Sequence, residues 1–278
     1  MRRAPVPRAS RAAALPAPVL RVVLAWLACV LVGCAALEPA GGSRDLRTAS
    51  DLSDADRLAQ VRLELASAYF ARGQTLVALD EVKQALAVRP DLAPAHELRG
   101  LVYAQLGEAA LADESFRRAL QLAPRSADAM HNYAWFLCQQ RRDPEAQAWF
   151  ARALAQPGYR DGARTLLAQG VCQARTGRLD QARATLLRAA ELDPGNLTTV
   201  YPLAEVMFLL GDDAGASLQL RRLHADTALA SASSLWLAAK IERRRGDAVG
   251  LQHWGRLLVE RFPGSPQALW YQGGRFDE

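Results

Sequence analysis

Residues 93–126 read APAHELRGLVYAQLGEAALADESFRRALQLAPRS, a stretch of 34 residues with Gly100, Tyr103, Gly107, Ala112, Phe116, Ala119 and Pro124 at its marked places. Gly107 separates two apolar-periodic segments, and Pro124 stops the second, so the stretch reads as a helical hairpin. The same marks lie 34 residues earlier, at Tyr69, Ala78, Val82, Ala85 and Pro90. A third copy gives Leu137, Ala146, Phe150 and Ala153, with Pro157 one place early. A fourth, spaced 36 from the third, gives Ala182, Leu186, Ala189 and Pro194, and the loop from Gln156 to Gly162 absorbs the extra two residues. A small residue returns eight places into each unit (Ala66, Gly100, Ala134, Gly170, Ala204, Ala238), and a turn glycine returns as Gly73, Gly107, Gly177, Gly211 and Gly246.

Small residues at the crossing point let two helices approach closely, and large ones at the Phe116, Phe150 and Trp254 places fill the gap toward the next hairpin. This arrangement resembles the tetratricopeptide repeat (TPR). It implies an all-α, right-handed TPR α-solenoid of about six helix-turn-helix units, at residues 59–92, 93–126, 127–162, 163–196, 197–230 and 231–264. The fifth unit has Met207 for the Tyr and Ala228 for the Pro. The sixth has Gly250 and Trp254, with a register open by one residue. The tail SPQALWY, from Ser265 to Tyr271, is expected to cap the last apolar face. No sustained period-2 alternation suggests a strand.

Outward from the repeats, the N-terminus reads as an address. Five arginines and no acid occupy residues 1–33, and Val22 to Val32 is an unbroken apolar run of 11. That run is about half of what a helix needs to cross a bilayer, and with its basic start it has the form of a signal peptide. Leu31-Val32-Gly33-Cys34 resembles the lipobox of bacterial lipoproteins, in which cleavage precedes a cysteine whose thiol carries diacylglycerol. The alternative is an uncleaved anchor that merely contains a Cys, as it contains Cys29. Expected therefore are a lipoprotein signal peptide at 1–33, a lipidated N-terminus and tether at 34–56, and the repeat domain at 57–278. Covalent lipid on Cys34 would be the only non-protein group. Ala35 follows where an Asp tends to retain such proteins in the inner membrane, so the resemblance implies the periplasmic face of the outer membrane.

Catalytic and metal-binding patterns are not apparent. His96, His131, His224 and His253 have no metal-ligand spacing, and there is no P-loop, dinucleotide fingerprint or G-x-S-x-G. His96 stands where TPRs often carry Trp and reads as a packing residue. Acid pairs such as Asp212 and Asp213 sit at helix starts, where they favour capping. A non-enzymatic binding module is the expectation. Cys138 and Cys172, 34 residues apart, fall on first helices of neighbouring units, which pack side by side in a TPR array. They are either two buried thiols or a disulfide, which needs Cα atoms within about 7 Å. The oxidising compartment and the placement favour the disulfide, which would stabilise by roughly 3 to 4 kcal/mol.

First helices line the concave side of a TPR array. The groove places give Leu63, Phe70, Leu101, Trp135, Leu167, Val171, Tyr201 and Phe208, each either groove surface or ordinary inter-helix core, with Phe70 and Trp135 together favouring the groove. Glu97 and Asp128 stand where carboxylate-clamping TPRs carry Lys, Asn and Arg, so the groove suits an apolar segment instead. The segment from Asn132 to Cys138 (NYAWFLC), Cys172 in the next unit, and FPGS from Phe262 followed by Tyr271 to Asp277 together resemble the type IV pilus biogenesis/stability lipoproteins, the PilF/PilW pilotin family. That resemblance implies a pilotin that binds the pilus secretin and helps it reach the outer membrane and multimerise; it also gives Cys172 as the partner of Cys138. A monomer is expected. The alternative is a TPR lipoprotein scaffold in another envelope assembly machinery.

The whole chain has 34 basic and 29 acidic residues, a formal charge of +5. All of the excess is the five signal-peptide arginines, so 29 and 29 remain after residue 33. The basic balance therefore gives no support to nucleic-acid binding.

Overall fold

The computed structural model describes residues 53–277. The lipobox Leu31, Val32, Gly33 and Cys34, the signal peptide and most of the tether lie outside the described residues. Within them the secondary structure is helical throughout, with no strand. Six hairpins follow one another: α1 (Asp54–Ala71) with α2 (Thr75–Val88), α3 (Ala93–Gln105) with α4 (Ala109–Leu122), and α5 (Ala127–Gln139) with α6 (Asp143–Leu154). Then come α7 (Gly162–Arg175) with α8 (Leu179–Leu192), α9 (Val200–Leu209) with α10 (Asp213–His224), and α11 (Ala232–Arg245) with α12 (Ala248–Arg261). A short α13 (Pro266–Gln272) closes the series. First helices touch the first helices of the next unit in the pairs α1–α3, α3–α5, α5–α7 and α9–α11, and second helices do not pack together to that extent. The solenoid therefore curls with its first helices on the inner side.

The first helix starts at Asp54, three residues before the expected boundary at 57. The cause is local. Ser53 and Asp56 form a reciprocal capping box, with Asp56 N donating to Ser53 Oγ at 3.1 Å and Ser53 N to Asp56 Oδ2 at 3.2 Å. Inside the hairpins the small residue of the first helix faces the large residue of the second. A Cβ at Gly100 would lie 2.9 Å from the fully buried Phe116 ring, and one at Gly170 would lie 2.6 Å from Leu186 Cγ. Phe116 extends this contact into the next unit, with ring centroids 5.7 Å from Tyr133 and 5.5 Å from Phe136. Most hairpin turns carry a left-handed glycine. In the third unit Arg141, at φ 59°, takes that place, which explains the missing glycine in the sequence pattern.

The sixth unit is shifted by one residue. Its left-handed Gly246 lies 35 residues after Gly211 rather than 34. The connection across residues 225–231 holds the extra residue around a 3₁₀ turn at Thr227–Leu229, where earlier units have a proline. The packing positions are consequently Ala239, Leu251 and Gly255, not Ala238, Gly250 and Trp254. Trp254 is half-buried and its ring lies 4.9 Å from that of His224. Gly255 thus stands where the other units place Val82, Phe116, Phe150, Leu186 and Leu220. The vacated space is filled by Tyr271 of α13, whose ring a Cβ at Gly255 would overlap. Ser265 caps α13 through the Ala268 amide at 3.2 Å, and Ala268 is fully buried beside Leu258. The SPQALWY tail is therefore a plug as well as a lid.

Candidate binding surfaces of the repeat domain

The eight groove positions do not form one continuous surface. Leu63 is core: it lies on the stripe of α1 shared with Ala59 and Ala66, and it packs in the cluster with Val82 and Leu98. Leu167 and Val171 are half-buried on α7, Leu167 against the core of units four to six. The remaining five fall into two clefts, one toward each end of the array.

The first cleft, about 290 Å³, is lined by Phe70 at the end of α1, by Leu101, Ala104 and Gln105 of α3, and by Asn132, Trp135, Phe136 and Gln139 of α5. The i, i+3 and i+4 spacing on α3 and α5 puts each set on one helix face. Phe70, Leu101 and Trp135 are half-buried, and fully buried Phe116 forms the floor. Asn132 is fixed at the rim by donating from Nδ2 to Glu97 Oε1 at 2.6 Å. Burial raises the Glu97 carboxyl above the ordinary carboxylate range, although the Asn132 bond opposes this. Asp128 is bound by Arg164 at 2.8 Å. An apolar cleft with amide groups at its edge can take apolar side chains and leave a partner backbone hydrogen-bonded.

The second cleft, about 200 Å³, joins Tyr201 and Phe208 of α9 with Trp236, Leu237 and Lys240 of α11 and with Gln267 and Trp270 of α13. Trp236 was hidden by the register shift. It lies 35 residues after Tyr201 and is the same groove place in its own unit. A 34-residue step lands instead on Leu235, which is fully buried.

Between the clefts, Cys138 of α5 and Cys172 of α7 are joined by a disulfide, with their Cα atoms 5.9 Å apart. Across units two and three, the Asp113 carboxylate accepts from Tyr133 Oη at 2.9 Å, Arg142 Nη1 at 2.6 Å and Arg117 Nε at 2.6 Å. Despite partial burial, these donors hold Asp113 below the usual carboxylate range. Three of the four histidines are buried and hydrogen-bonded, and His253 is exposed. His96 Nε2 meets the Pro90 carbonyl at 2.8 Å, His131 Nδ1 meets Thr165 Oγ1 at 2.9 Å, and His224 Nε2 meets Ser234 Oγ at 3.0 Å. Thr165 also bonds Tyr159 Oη at 2.7 Å, which ties the longer loop of the third unit to the next hairpin. Burial depresses both His131 and His224 to about 4. Among the described residues, no group of three or more His, Cys, Asp or Glu could hold a metal ion, and no helix is long and apolar enough to cross a membrane.

A tetratricopeptide repeat family profile matches residues 63–127 and 158–196. The type IV pilus assembly protein PilF of Pseudomonas aeruginosa is 27% identical over 247 residues, 88% of this chain and 95% of that one. The crystal structure of PilW, a widely conserved type IV pilus biogenesis factor, superposes with a TM-score of 0.72 at 29% identity, covering 77% of this chain and 97% of PilW. The structure of Pseudomonas aeruginosa pilF has the same fold, with a TM-score of 0.70 at 24% identity over 80% of this chain and all of that one. This chain is a tetratricopeptide-repeat protein homologous to the PilF and PilW type IV pilus biogenesis proteins.

Proposed function

We propose that this protein is a pilotin: a lipoprotein held by Cys34 at the periplasmic face of the outer membrane, whose inner TPR surface binds an apolar segment of the type IV pilus secretin. The cleft of Phe70, Leu101 and Trp135 carries this reading. It is half-buried, apolar at its base and amide-rimmed, as an amphipathic helix or strand would require. Homology to a pilus assembly protein over nearly the full length of both chains supplies the context. A lipid anchor would confine the bound secretin subunit to the membrane plane and raise its effective concentration for ring assembly. No chemistry beyond binding is needed.

The test is a Phe70→Ala/Trp135→Ala double variant, expressed in place of the wild-type protein. Each side chain is half-exposed, so folding should be retained. The heat-resistant secretin multimer in the outer-membrane fraction should fall at least tenfold, with twitching motility lost. Normal multimers in that strain, with the variant present at wild-type level, would refute the assignment.

A further inference from the structure

We propose that the last two units and the closing helix form a second, chemically distinct peptide site. It takes an apolar side chain flanked by a carboxylate. The second cleft continues past Phe208 and Lys240 into a neighbouring opening of about 290 Å³, lined by Arg243, Arg244, Phe276 and Asp277. The two share Phe208 and Lys240 and are one surface. Its inner end is aromatic, with Tyr201, Trp236 and Trp270, and its mouth carries three cations, Lys240, Arg243 and Arg244, against one lining acid, the exposed Asp277. Lys240, Arg243 and Arg244 reach the mouth from a single turn of α11.

These cations are held against ring faces. The Arg244 guanidinium lies 3.8 Å from the Phe208 centroid and that of Arg243 lies 4.2 Å from Phe276, while Lys240 Nζ is 5.8 Å from the Trp236 ring. Stacking on a ring fixes a guanidinium plane; the N–H edge of Arg244 is already filled by Asp213 and the Phe208 carbonyl, while that of Arg243 is left to an acceptor. The acids nearby are partly engaged: Asp213 pairs with Arg244, and Glu205 accepts from Tyr201 Oη at 3.1 Å. Arg243 forms no ion pair among the described residues. An exposed, oriented guanidinium beside an aromatic cleft complements a carboxylate next to an aromatic or aliphatic side chain. The first cleft has amides in the place of these cations, so the two surfaces would select different sequences.

The test presents a phage-displayed random dodecapeptide library to the purified full chain in detergent. Selected peptides should carry Asp or Glu within two places of an aromatic or aliphatic residue. A synthetic peptide of the selected consensus should bind Arg243→Glu or Trp270→Ala at least tenfold more weakly and Phe70→Ala unchanged. Because Arg243→Glu could disturb Phe276, a peptide with its acid replaced by Lys should regain affinity for that variant. No enrichment, enrichment of sequences lacking an acid, no rescue by the Lys peptide, or loss of binding with Phe70→Ala would each overturn the site. So would preferential binding of phosphatidylglycerol vesicles over the peptide. The first cleft is assayed separately through secretin multimers, so either site can fail alone.

Discussion

Substituting Gly255 by Ala tests the plug that ends the solenoid. The new methyl would overlap Tyr271 at Cζ and Cε2, and the ring cannot rotate away from a clash with its own body. Either α12 shifts or α13 lifts, taking Trp270 and Phe276 off Trp236. Overpacking of this kind costs about 1–3 kcal/mol, and the upper half of that range applies because no flexible side-chain end can yield. For a chain of this size a loss of about 2–3 kcal/mol lowers the melting temperature by roughly 5–10 °C. A solenoid loses stability locally, so amide exchange should accelerate in α11 to α13 and remain unchanged in units one to four. Tyr271→Ala removes the obstruction and exposes a void, with its own destabilisation of about 2–3 kcal/mol. The decisive result is the double variant Gly255→Ala/Tyr271→Ala. It should melt near Tyr271→Ala alone, since the methyl then enters free space. Additive losses in the double variant, or a Gly255→Ala protein melting within about 1 °C of wild type, would show that Tyr271 does not occupy the Gly255 hole.

Reducing the Cys138–Cys172 bond, or replacing both residues with Ser, should cost roughly 3–4 kcal/mol and raise the intact mass by two hydrogens on reduction; two thiols in oxidised material would refute the bond. Acidification should also weaken the fold. His131 and His224 titrate near 4 when folded and near 6.5 when unfolded, so the unfolded chain takes up protons first. Stability is then full above about pH 6.5 and is lost progressively toward pH 4. A wild-type melting temperature that stays flat across that window, or one that falls as steeply in a His131→Gln/His224→Gln variant, would contradict the assignment. Cys34→Ala should release the protein from the outer membrane, and unchanged fractionation would remove the lipid anchor from the proposed function.

The hairpins were legible because each unit repeats one steric bargain, a small residue against a large one, at a spacing that 34-residue periodicity exposes. Gly100 with Phe116 and Gly170 with Leu186 are that bargain in coordinates. The periodicity breaks where the bargain changes hands. In unit six the large partner comes from Tyr271, in another helix, and no periodicity within the unit can reveal it. The one-residue shift also concealed Trp236 as the counterpart of Tyr201. Leu63 differs for another reason: on α1 it lies on the stripe of Ala59 and Ala66 and packs with Val82 and Leu98, and the same place in the third unit, His131, is buried as well. The cationic mouth of the second cleft depends on Phe276, beyond the last repeat, and repeat spacing carries no information about it.

The covalent link between α5 and α7 has a geometric consequence. A stack of helical hairpins bends like a leaf spring, through small rotations at each joint. The first cleft ends in the third unit and the second begins in the fifth, so only two joints separate them. The disulfide pins one of the two. It thereby turns the middle of the spring into something closer to a ruler, and a partner engaging both clefts would meet them at a nearly preset span, the remaining play lying at the joint between units four and five.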